Sequence, residues 1–437
     1  MNMKKNEFIK RRQELMAQME PNSIAILSAA KPVLRNGDAD YPYRQNSDFY
    51  YLTGHKEPGS VLVLIPGRDK GECLLFCQEK DKLKELWNGK LLGPEAAIDT
   101  LGLDDSFPIT DIDDILPGLI EGRERVYSPM GKDESFDHQL MEGVKVIRSK
   151  VRSGAHPPGE FLVLDHLLHE MRLIKSKFEL ELMKKSAQIA VAAHKKAMQV
   201  CKPGLNEYQL EAEYLYEFMR SGCTAPAYTS IVAGGDNACI LHYTENDQLL
   251  KSGDLVLIDA GCEYEYYASD ITRTFPVNGK FSPEQKALYE IVLEAQLEAI
   301  KTIKPGAHWD NPHNRTVEVI TSGLLDLGLL KGKLEQLIEE GAYRDFYMHR
   351  AGHWLGMDVH DVGDYKIEGD WRILEPGMVM TVEPGIYVAP DNKNVDRKWR
   401  GIGIRIEDDV AVTKKGNEIL TYGLPKTVAE IESFMAA

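Results

Sequence analysis

The first 172 residues alternate short apolar runs with amphipathic stretches. The apolar runs predict β-strands and are SIAILS (23–28), SVLVLI (60–65), CLLFC (73–77), RVYS (125–128) and VKVIR (144–148). Helical patterns lie between them at 80–88, 112–120 and 134–142. This alternation predicts an α/β N-terminal domain over 1–172 with a mostly parallel sheet. The aromatic segment 38–54 could form an edge that binds a partner, but it is expected to be another packed strand.

Longer helical patterns begin near residue 173. Ser176 is placed to cap a long helix that Pro203-Gly204 would end, and a second helix is predicted over 206–222. A second pair of helices is then predicted. The first is a long helix over 283–306 that ends in the same Lys-Pro-Gly sequence, and the next helix ends at 320–323. Glycine-rich segments with histidines, and then strands, follow each pair of helices. We therefore predict an α+β C-terminal domain, 173–437, made of two halves related by a pseudo-twofold internal duplication.

Acidic residues interrupt two apolar strand patterns in this domain. The segments DLVLIDAG (254–261) and ASDITRTFPV (268–277) predict a hairpin. Because side chains alternate along a strand, Asp259 projects from an apolar face and Asp270 stands opposite it. An unpaired ionised carboxylate in such a place costs several kcal/mol, and two facing each other cost more or share a proton. A bound cation would remove both penalties.

The second half repeats this anomaly. GMVMTVEPGIYV (377–388) contains Glu383 and GIGIRIEDDVAV (401–412) contains Glu407. The intervening segment 348–361 contains three histidines, which are His349, His353 and His360. Four carboxylates and one imidazole form a common ligand set for two divalent ions. Oxygen-rich ligation of this kind favours Mn, Co or Mg over a thiolate-type zinc site.

Other interpretations exist for single residues. One acid in a strand is more often an edge residue or an ion-pair partner than a metal ligand, and Glu407 shares its face with Arg405. The recurrence in both halves favours the metal site. Five further histidines are left out of the site. His166, His169 and His194 are expected to be structural, whereas His308 and His313 precede or open a helix and have no acidic cluster beside them.

Composition narrows the class of protein. A chain of 437 residues suggests two or three domains, and its net charge of −16 disfavours nucleic acid and anionic membranes as partners. The basic N-terminus has no apolar run behind it, unlike a signal peptide, and no stretch is long and apolar enough to span a bilayer. The six cysteines contain no C-x-x-C pair, so we expect a reduced, cytoplasmic protein without disulfides.

The acidic series, with His353, resembles the metal ligands of the pita-bread dinuclear metallopeptidases, which include methionine aminopeptidase, prolidase and aminopeptidase P. This likeness covers roughly 174–430. EFIKRRQELMAQM (7–19) and YPYRQNSDFYYLTGHKEPGSVLVL (41–64) resemble the creatinase-type N-terminal domain of the same group. Together with HWLGMDVHD and GIGIRIEDD, they make the chain most similar to bacterial aminopeptidases P, the Xaa-Pro aminopeptidases.

The resemblance implies a metallopeptidase that releases the N-terminal residue from peptides with proline in the second position. Two divalent ions, with Mn²⁺ expected, would hold a bridging hydroxide that attacks the scissile carbonyl. Asp259 would bind one metal, Asp270 and Glu407 would bridge both, and His353 and Glu383 would complete the second. Glu383 would also shuttle the proton.

The resemblance also implies roles around the metals. His360 and His242 would stabilise the oxyanion and hold the substrate, His349 would line the proline-side pocket, and Arg405 would orient ligands or substrate. Tyr387 is a weaker candidate for such support. Members of this family are oligomers, so we expect a homodimer or homotetramer. Trp87 would either pack within its own chain or reach a neighbouring site.

Three other functions remain open. A prolidase, which cuts Xaa-Pro dipeptides, could share every ligand named above. A non-catalytic pita-bread protein that binds peptides would be expected to have lost ligands, and this chain keeps all five. A creatinase-like hydrolase uses the fold without metals, and the intact acids argue against it.

Overall fold

The computed structural model describes residues 2–436 and contains two compact units, one that ends at Met171 and one that begins at Arg172. The helices are α1 Asn2–Gln18, α2 Ser47–Thr53, α3 Lys82–Asn88, α4 Pro94–Leu101, α5 Ile112–Ile120, α6 Glu134–Ser149, α7 Asp165–Leu173, α8 Lys177–Val200, α9 Glu207–Arg220, α10 Pro283–Thr302, α11 Asn311–Asp326, α12 Leu334–Glu339 and α13 Val428–Met435. The strands of the first unit are β1 Ser23–Ser28, β2 Leu34–Asn36, β3 Ala39–Asp40, β4 Val61–Leu64, β5 Cys73–Cys77, β6 Asp105–Pro108, β7 Arg125–Ser128 and β8 Glu160–Val163. Those of the second are β9 Ala225–Pro226, β10 Ile231–Gly234, β11 Leu255–Asp259, β12 Cys262–Tyr264, β13 Tyr267–Ala268, β14 Thr272–Pro276, β15 Lys366–Ile367, β16 Asp370–Trp371, β17 Val379–Val382, β18 Gly385–Val388, β19 Ile402–Arg405, β20 Asp408–Thr413 and β21 Gly416–Ile419.

The first unit is built around a six-stranded sheet of order β6–β5–β4–β1–β7–β8. The pairings β1–β7, β7–β8 and β5–β6 are parallel, whereas β1–β4 and β4–β5 are antiparallel. The sheet is therefore mixed, with a parallel majority. Its apolar strands pack against α5 and α6 through residues such as Ile24, Phe76, Leu116 and Leu140.

Two strand predictions in this unit are wrong. VKVIR lies in α6, where Val144 and Ile147 continue a buried helical stripe that starts at Phe136 and Leu140. Asp133 caps this helix, so a longer helical period overrides the short β-branched run. The segment 38–54 contains the fully buried helix α2, whose N-terminus is capped by the Asn46 side chain.

The second unit shows the predicted recurrence. The helices α8 and α9 precede the antiparallel sheet β10–β11–β14, and α10 and α11 precede the antiparallel sheet β17–β20–β21. Ser176 and Ser282 cap α8 and α10 with the same reciprocal capping box. The helix expected to end at 320–323 continues to Asp326, so Gly323 lies inside it and does not end it.

Strand breaks in this unit place the acidic residues. Asp259 is the last residue of β11, and Asp270 precedes β14. Glu383 directly follows β17, and Glu407 separates β19 from β20. The acids were predicted within strands, whereas they stand at strand ends, where side chains can converge from several strands.

Three further observations concern the chain as a whole. No helix within residues 2–436 combines the length and the apolar composition needed to cross a bilayer. The six cysteines are free thiols. Trp87 on α3 is 79% exposed, so of its two alternatives the one in which it is buried within its own chain is not observed.

Candidate metal and active site

All nine predicted site residues line one cavity of about 410 Å³ in the second unit. They are Asp259, Asp270, His353, Glu383, Glu407, His360, His242, His349 and Arg405. One donor atom from each of Asp270, His353 and Glu407 lies within 4.8 Å of the other two, a spacing that a single metal ion can bridge. The sequence therefore identified a set of residues that folding brings together.

Asp259 and Asp270 share one phenol. The Tyr228 hydroxyl lies 2.6 Å from Asp259 Oδ1 and also contacts Asp270 Oδ1. The backbone N–H of Asp270 donates to the buried Asp409 carboxylate at 3.2 Å. These contacts aim both carboxylates into the same part of the cavity.

Glu407 is held by the opposite strand. Its Oε2 accepts from the Thr272 hydroxyl at 2.7 Å, and its N–H donates to the Thr272 carbonyl at 3.0 Å. Arg405 donates to Thr272 Oγ1 at 3.1 Å and to Asp259 Oδ2 at 2.7 Å. The Arg405 guanidinium therefore pairs with Asp259 and not with Glu407, so the alternative in which Glu407 is merely the ion-pair partner of Arg405 is not observed.

His353 presents one defined nitrogen to the acids. Its Nδ1 donates to the Trp354 carbonyl at 2.9 Å, which leaves Nε2 3.4 Å from Asp270 Oδ2 and 3.6 Å from Glu383 Oε1. The backbone N–H of His353 donates to Thr381 Oγ1, and the Thr381 hydroxyl lies 3.3 Å from Glu383 Oε1. The imidazole is thereby fixed with a ligand-type nitrogen facing two carboxylates.

The acids repel one another, and this repulsion appears in their pKa values. Burial raises the pKa of Glu383 to about 7. The charge of His353 lowers this pKa, whereas the charges of Asp270 and Asp259 raise it. Burial and then the charge of Asp270 raise the pKa of Glu407 well above its usual range. Burial and the charge of Asp259 raise the pKa of Asp270. A cluster of this kind is short of positive charge, and divalent cations would supply it.

The His353 imidazole responds to the same charges in the opposite sense. Burial alone would lower its pKa, but the hydrogen bond with Asp270 and the charge of Glu383 raise it to about 9. Without metal the ring therefore carries a proton near neutral pH. Metal ligation requires the neutral ring, so binding of a cation would release that proton.

A hydrogen-bonded chain runs behind the cavity. Arg405 donates to the Tyr387 hydroxyl at 2.9 Å, and Tyr387 lies 2.9 Å from His349 Nε2. His349 Nδ1 contacts the carbonyl of Arg350 at 2.7 Å. Burial, followed by the charge of Arg405, lowers the pKa of His349 to about 4, so this ring is neutral. This series of hydrogen bonds fixes the orientation of the His349 ring toward the cavity.

The other two histidines stand at the mouth of the cavity. The His360 ring lies edge-on to His353 at 4.4 Å between centroids, and burial together with the charge of His353 lowers its pKa. His242 is exposed on the lining. Both imidazoles can reach a substrate in the cavity.

Two of the excluded histidines, His194 and His169, take positions with structural partners. His194 is fully buried and bonds to the Ala260 carbonyl and the Tyr214 hydroxyl. In the first unit His169 lies near Asp48 and Asp165, but the Lys132 ammonium contacts both carboxylates, at 3.2 and 2.9 Å. That lysine already provides the charge that a metal would bring.

Sequence reasoning missed three residues that support the ligands, namely Tyr228, Thr272 and Thr381. Thr272 could have been found, because it follows Asp270 by two positions and so shares its face of a strand. Thr381 precedes Glu383 by the same spacing. Tyr228 lies in a loop without a periodic pattern, so its position depends on tertiary structure alone.

Comparison with known proteins agrees with this geometry. The family model described as Metallopeptidase family M24 matches residues 181–414, and the one described as Aminopeptidase P, N-terminal domain matches residues 8–127. The chain is 46% identical over 434 residues to the Xaa-Pro aminopeptidase of Escherichia coli strain K12, covering 99% of this chain and 98% of that protein. It is 46% identical over 431 residues to the Xaa-Pro aminopeptidase of Haemophilus influenzae, covering 99% and 97%.

Solved structures show the same relationship. The aminopeptidase PepP of Pseudomonas aeruginosa superposes with a TM-score of 0.98 at 63% identity, covering 99% of this chain and 98% of that one. Aminopeptidase P from E. coli with the inhibitor Pro-Leu superposes with a TM-score of 0.96 at 46% identity, covering 99% and 98%. The predicted fold, an aminopeptidase P N-terminal domain followed by a pita-bread domain, is confirmed. The chain belongs to the M24 metallopeptidases of the aminopeptidase P type.

Proposed function

We propose that this chain removes the N-terminal residue from peptides whose second residue is proline. The class of enzyme, a metallopeptidase of the Xaa-Pro aminopeptidase kind, follows from likeness over the whole chain. The observation that carries the proposal is the convergence of four carboxylates and His353 in one cavity. Proline lacks an amide N–H, so the site must recognise the shape of its ring.

The proposed metal ligands are Asp259, Asp270, His353, Glu383 and Glu407. The raised pKa values of the three acids Asp270, Glu383 and Glu407 fit a site built for two divalent cations, and the oxygen-rich donors favour Mn²⁺. Such ions, when bound, acidify a water molecule and polarise a carbonyl group.

The remaining residues handle protons and substrate. Glu383, whose Oε1 lies 3.6 Å from His353 Nε2 on the lining of the cavity, would take a proton from water and deliver it to the leaving amine. His360 and His242 would hold the substrate carbonyl from the mouth of the cavity. Neutral His349, fixed by Tyr387, would face the proline ring, while Arg405 keeps Asp259 in position.

The test is an assay of metal-stripped protein with and without added Mn²⁺. It compares an Xaa-Pro-Yaa tripeptide with the matching Xaa-Pro dipeptide. Cleavage of the tripeptide only after metal addition, with little cleavage of the dipeptide, is expected. Preference for the dipeptide would instead assign a prolidase, and no cleavage of either would leave a protein that binds peptides without catalysis.

Two wider features belong to the same proposal. We expect a homodimer or homotetramer, and the exposed face of α3 with Leu83, Leu86 and Trp87 supplies apolar surface for such contacts. A cytoplasmic location is supported by six free thiols and the absence of any C-x-x-C pair. Sedimentation of the purified chain would measure the oligomer.

A further inference from the structure

Arg350 is an exposed cation on the lining of the cavity that contains the four carboxylates. Its side chain lines the same cavity as the proposed ligands, directly after His349 in sequence. Arg405, the other arginine of the lining, is buried and neutralised by Asp259 at 2.7 Å. Arg350 is exposed, and no carboxylate of residues 2–436 forms an ion pair with it. Its charge is therefore available to something outside the chain.

An aromatic platform holds the Arg350 guanidinium in place. Its Cζ lies 4.5 Å from the centroid of the Trp371 ring. Trp371 stands on β16, whose hairpin partner β15 carries Lys366, and the Lys366 ammonium lies 4.4 Å from the same centroid. Stacking on an indole face restrains an arginine side chain while leaving its N–H donors free for a planar anion.

The backbone around Arg350 is fixed to the site on both sides. The Arg350 carbonyl contacts His349 Nδ1 at 2.7 Å, and the carbonyl of Ala351 accepts from the Glu383 N–H at 2.8 Å. Arg350 therefore directly follows His349, the ring proposed to face proline. It directly precedes Ala351, whose carbonyl is bonded to Glu383. A peptide whose proline contacts His349 would extend its following residues past this guanidinium.

Electrostatics indicate the class of ligand. The whole chain has a net charge of −16, so an anionic group on a substrate meets repulsion on approach, even where the proposed cations balance the four carboxylates of the cavity. An unpaired guanidinium with a free fork of donors is matched by a carboxylate, which it binds through two parallel hydrogen bonds. Lys366 adds a second positive charge beside the same ring.

We propose that Arg350, on its Trp371 platform, forms a subsite for a carboxylate carried by the peptide on the C-terminal side of proline. The carboxylate comes either from the free C-terminus of a short peptide or from an acidic side chain that follows proline. This inference rests on the proposed aminopeptidase function and specifies the substrates that the enzyme prefers.

The experiment uses the full-length, Mn²⁺-loaded protein and two pairs of peptides. Xaa-Pro-Ala is compared with its C-terminal amide, and Xaa-Pro-Glu-amide with Xaa-Pro-Gln-amide. Each peptide is tested on wild type, Arg350→Gln, Arg350→Lys and Trp371→Leu. The matched control is Arg344→Gln, because Arg344 is also an exposed guanidinium over an aromatic ring, that of Tyr343, but does not line the cavity.

Wild type is expected to prefer the carboxylate-bearing member of at least one pair, and the pair that responds identifies the source of the carboxylate. Arg350→Gln should lower kcat/KM for that member about fivefold through KM, the scale of a partly exposed ion pair, and leave neutral peptides within about twofold. Arg350→Lys should retain part of the preference, Trp371→Leu should weaken it, and Arg344→Gln should not change it.

Unchanged preference ratios in Arg350→Gln would overturn the subsite while leaving the aminopeptidase assignment intact. Failure of wild type to cleave any of the four peptides would instead overturn the proposed function. The two failures are therefore distinguishable in one set of measurements.

Discussion

Single hydroxyl groups hold the acids of this site in place. Thr272 donates to Glu407 and Thr381 to Glu383, while the Tyr228 hydroxyl contacts both Asp259 and Asp270 and shares its single proton between them. A carboxylate can accept several hydrogen bonds, and the second oxygen of Asp259 accepts from Arg405. The hydroxyl groups carry no charge, so they aim Asp270, Glu383 and Glu407 without neutralising them, which keeps these acids available for cations.

Replacement of Glu383 tests its role in proton transfer. Glu383→Gln keeps the shape of the side chain but removes its ability to accept a proton, so kcat for an Xaa-Pro-Yaa peptide should fall by about 10²-fold or more. Metal content must be measured in parallel, because Glu383 is also a proposed ligand. Glu418→Gln, at a side chain 48% exposed, is the control. A Glu383→Gln enzyme with full metal content and undiminished kcat would contradict the assignment.

Removal of the Tyr228 hydroxyl tests how the empty acid cluster is stabilised. Tyr228→Phe leaves the Asp259 and Asp270 carboxylates without their shared donor, so the free energy of unfolding of metal-free protein should fall by about 1–2 kcal/mol. Added Mn²⁺ should reduce this loss, because the ions then balance the same charges. Urea unfolding with and without Mn²⁺ measures both effects, with the exposed Tyr422→Phe as control.

Close contacts between backbone segments position the ligands at the scale of secondary-structure elements. The segment carrying His353 lies against β17, where the Thr381 N–H donates to the His353 carbonyl at 3.0 Å. Gly352 permits this approach, because a Cβ there would stand 2.1 Å from the Thr381 carbonyl oxygen. Gly261 similarly faces the Ser269 carbonyl oxygen, which a Cβ would approach to 1.7 Å. Both halves that carry proposed ligands thus contain a glycine where two backbone segments approach closely.

Substitution of Gly352 should therefore displace His353. Gly352→Ala forces the segment away from β17 and should cost about 1–3 kcal/mol of stability, with weaker Mn²⁺ binding. Gly416→Ala is the matched control, because nothing lies within 4 Å of a Cβ placed there. Thermal unfolding and metal titration compare the two variants. Equal Mn²⁺ affinity in both would show that the close approach is unimportant for the site.

At the scale of the whole molecule, a histidine buried in the core of the second unit makes the free energy of unfolding depend on pH. His194 on α8 is fully buried, bonded to the Ala260 carbonyl and the Tyr214 hydroxyl. Burial lowers its pKa from 6.5 to about 3. Between these values the unfolded chain binds a proton that the folded chain does not, so this contribution to stability is present above about pH 6.5 and is lost as the pH falls toward 3.

The pH dependence of His194→Gln should accordingly be shallower than that of wild type. The comparison is the free energy of unfolding in urea at several pH values between 7 and about 4, measured on metal-free protein so that ligand binding does not contribute. The difference between the two curves isolates His194 from the acids of the site. Parallel curves would show that His194 does not couple folding to protons in this range.

Much of this protein follows from local patterns in its sequence. The helices α8 and α10 carry their capping residues beside their amphipathic faces, so the C-terminal elements could be predicted from short segments. Acidic residues in apolar strand patterns identified Asp259, Asp270, Glu383 and Glu407, because burying a carboxylate requires a compensating partner. Local ambiguity remained where a short β-branched run sits inside a longer helical period, as at 144–148, which lies in α6.

Tertiary structure alone decided which partners meet. Arg405 pairs with Asp259, 146 residues away in sequence, rather than with neighbouring Glu407. Tyr228, Trp371 and the free guanidinium of Arg350 likewise gain their roles from segments that the fold brings together. The physical reason is that periodicity and capping record interactions over a few residues, whereas hydrogen bonds and ion pairs between distant strands depend on the folded backbone. Local sequence patterns therefore indicated most of the elements and the set of proposed ligands, whereas the fold decided how those side chains converge and left the Arg350 guanidinium exposed at the cavity.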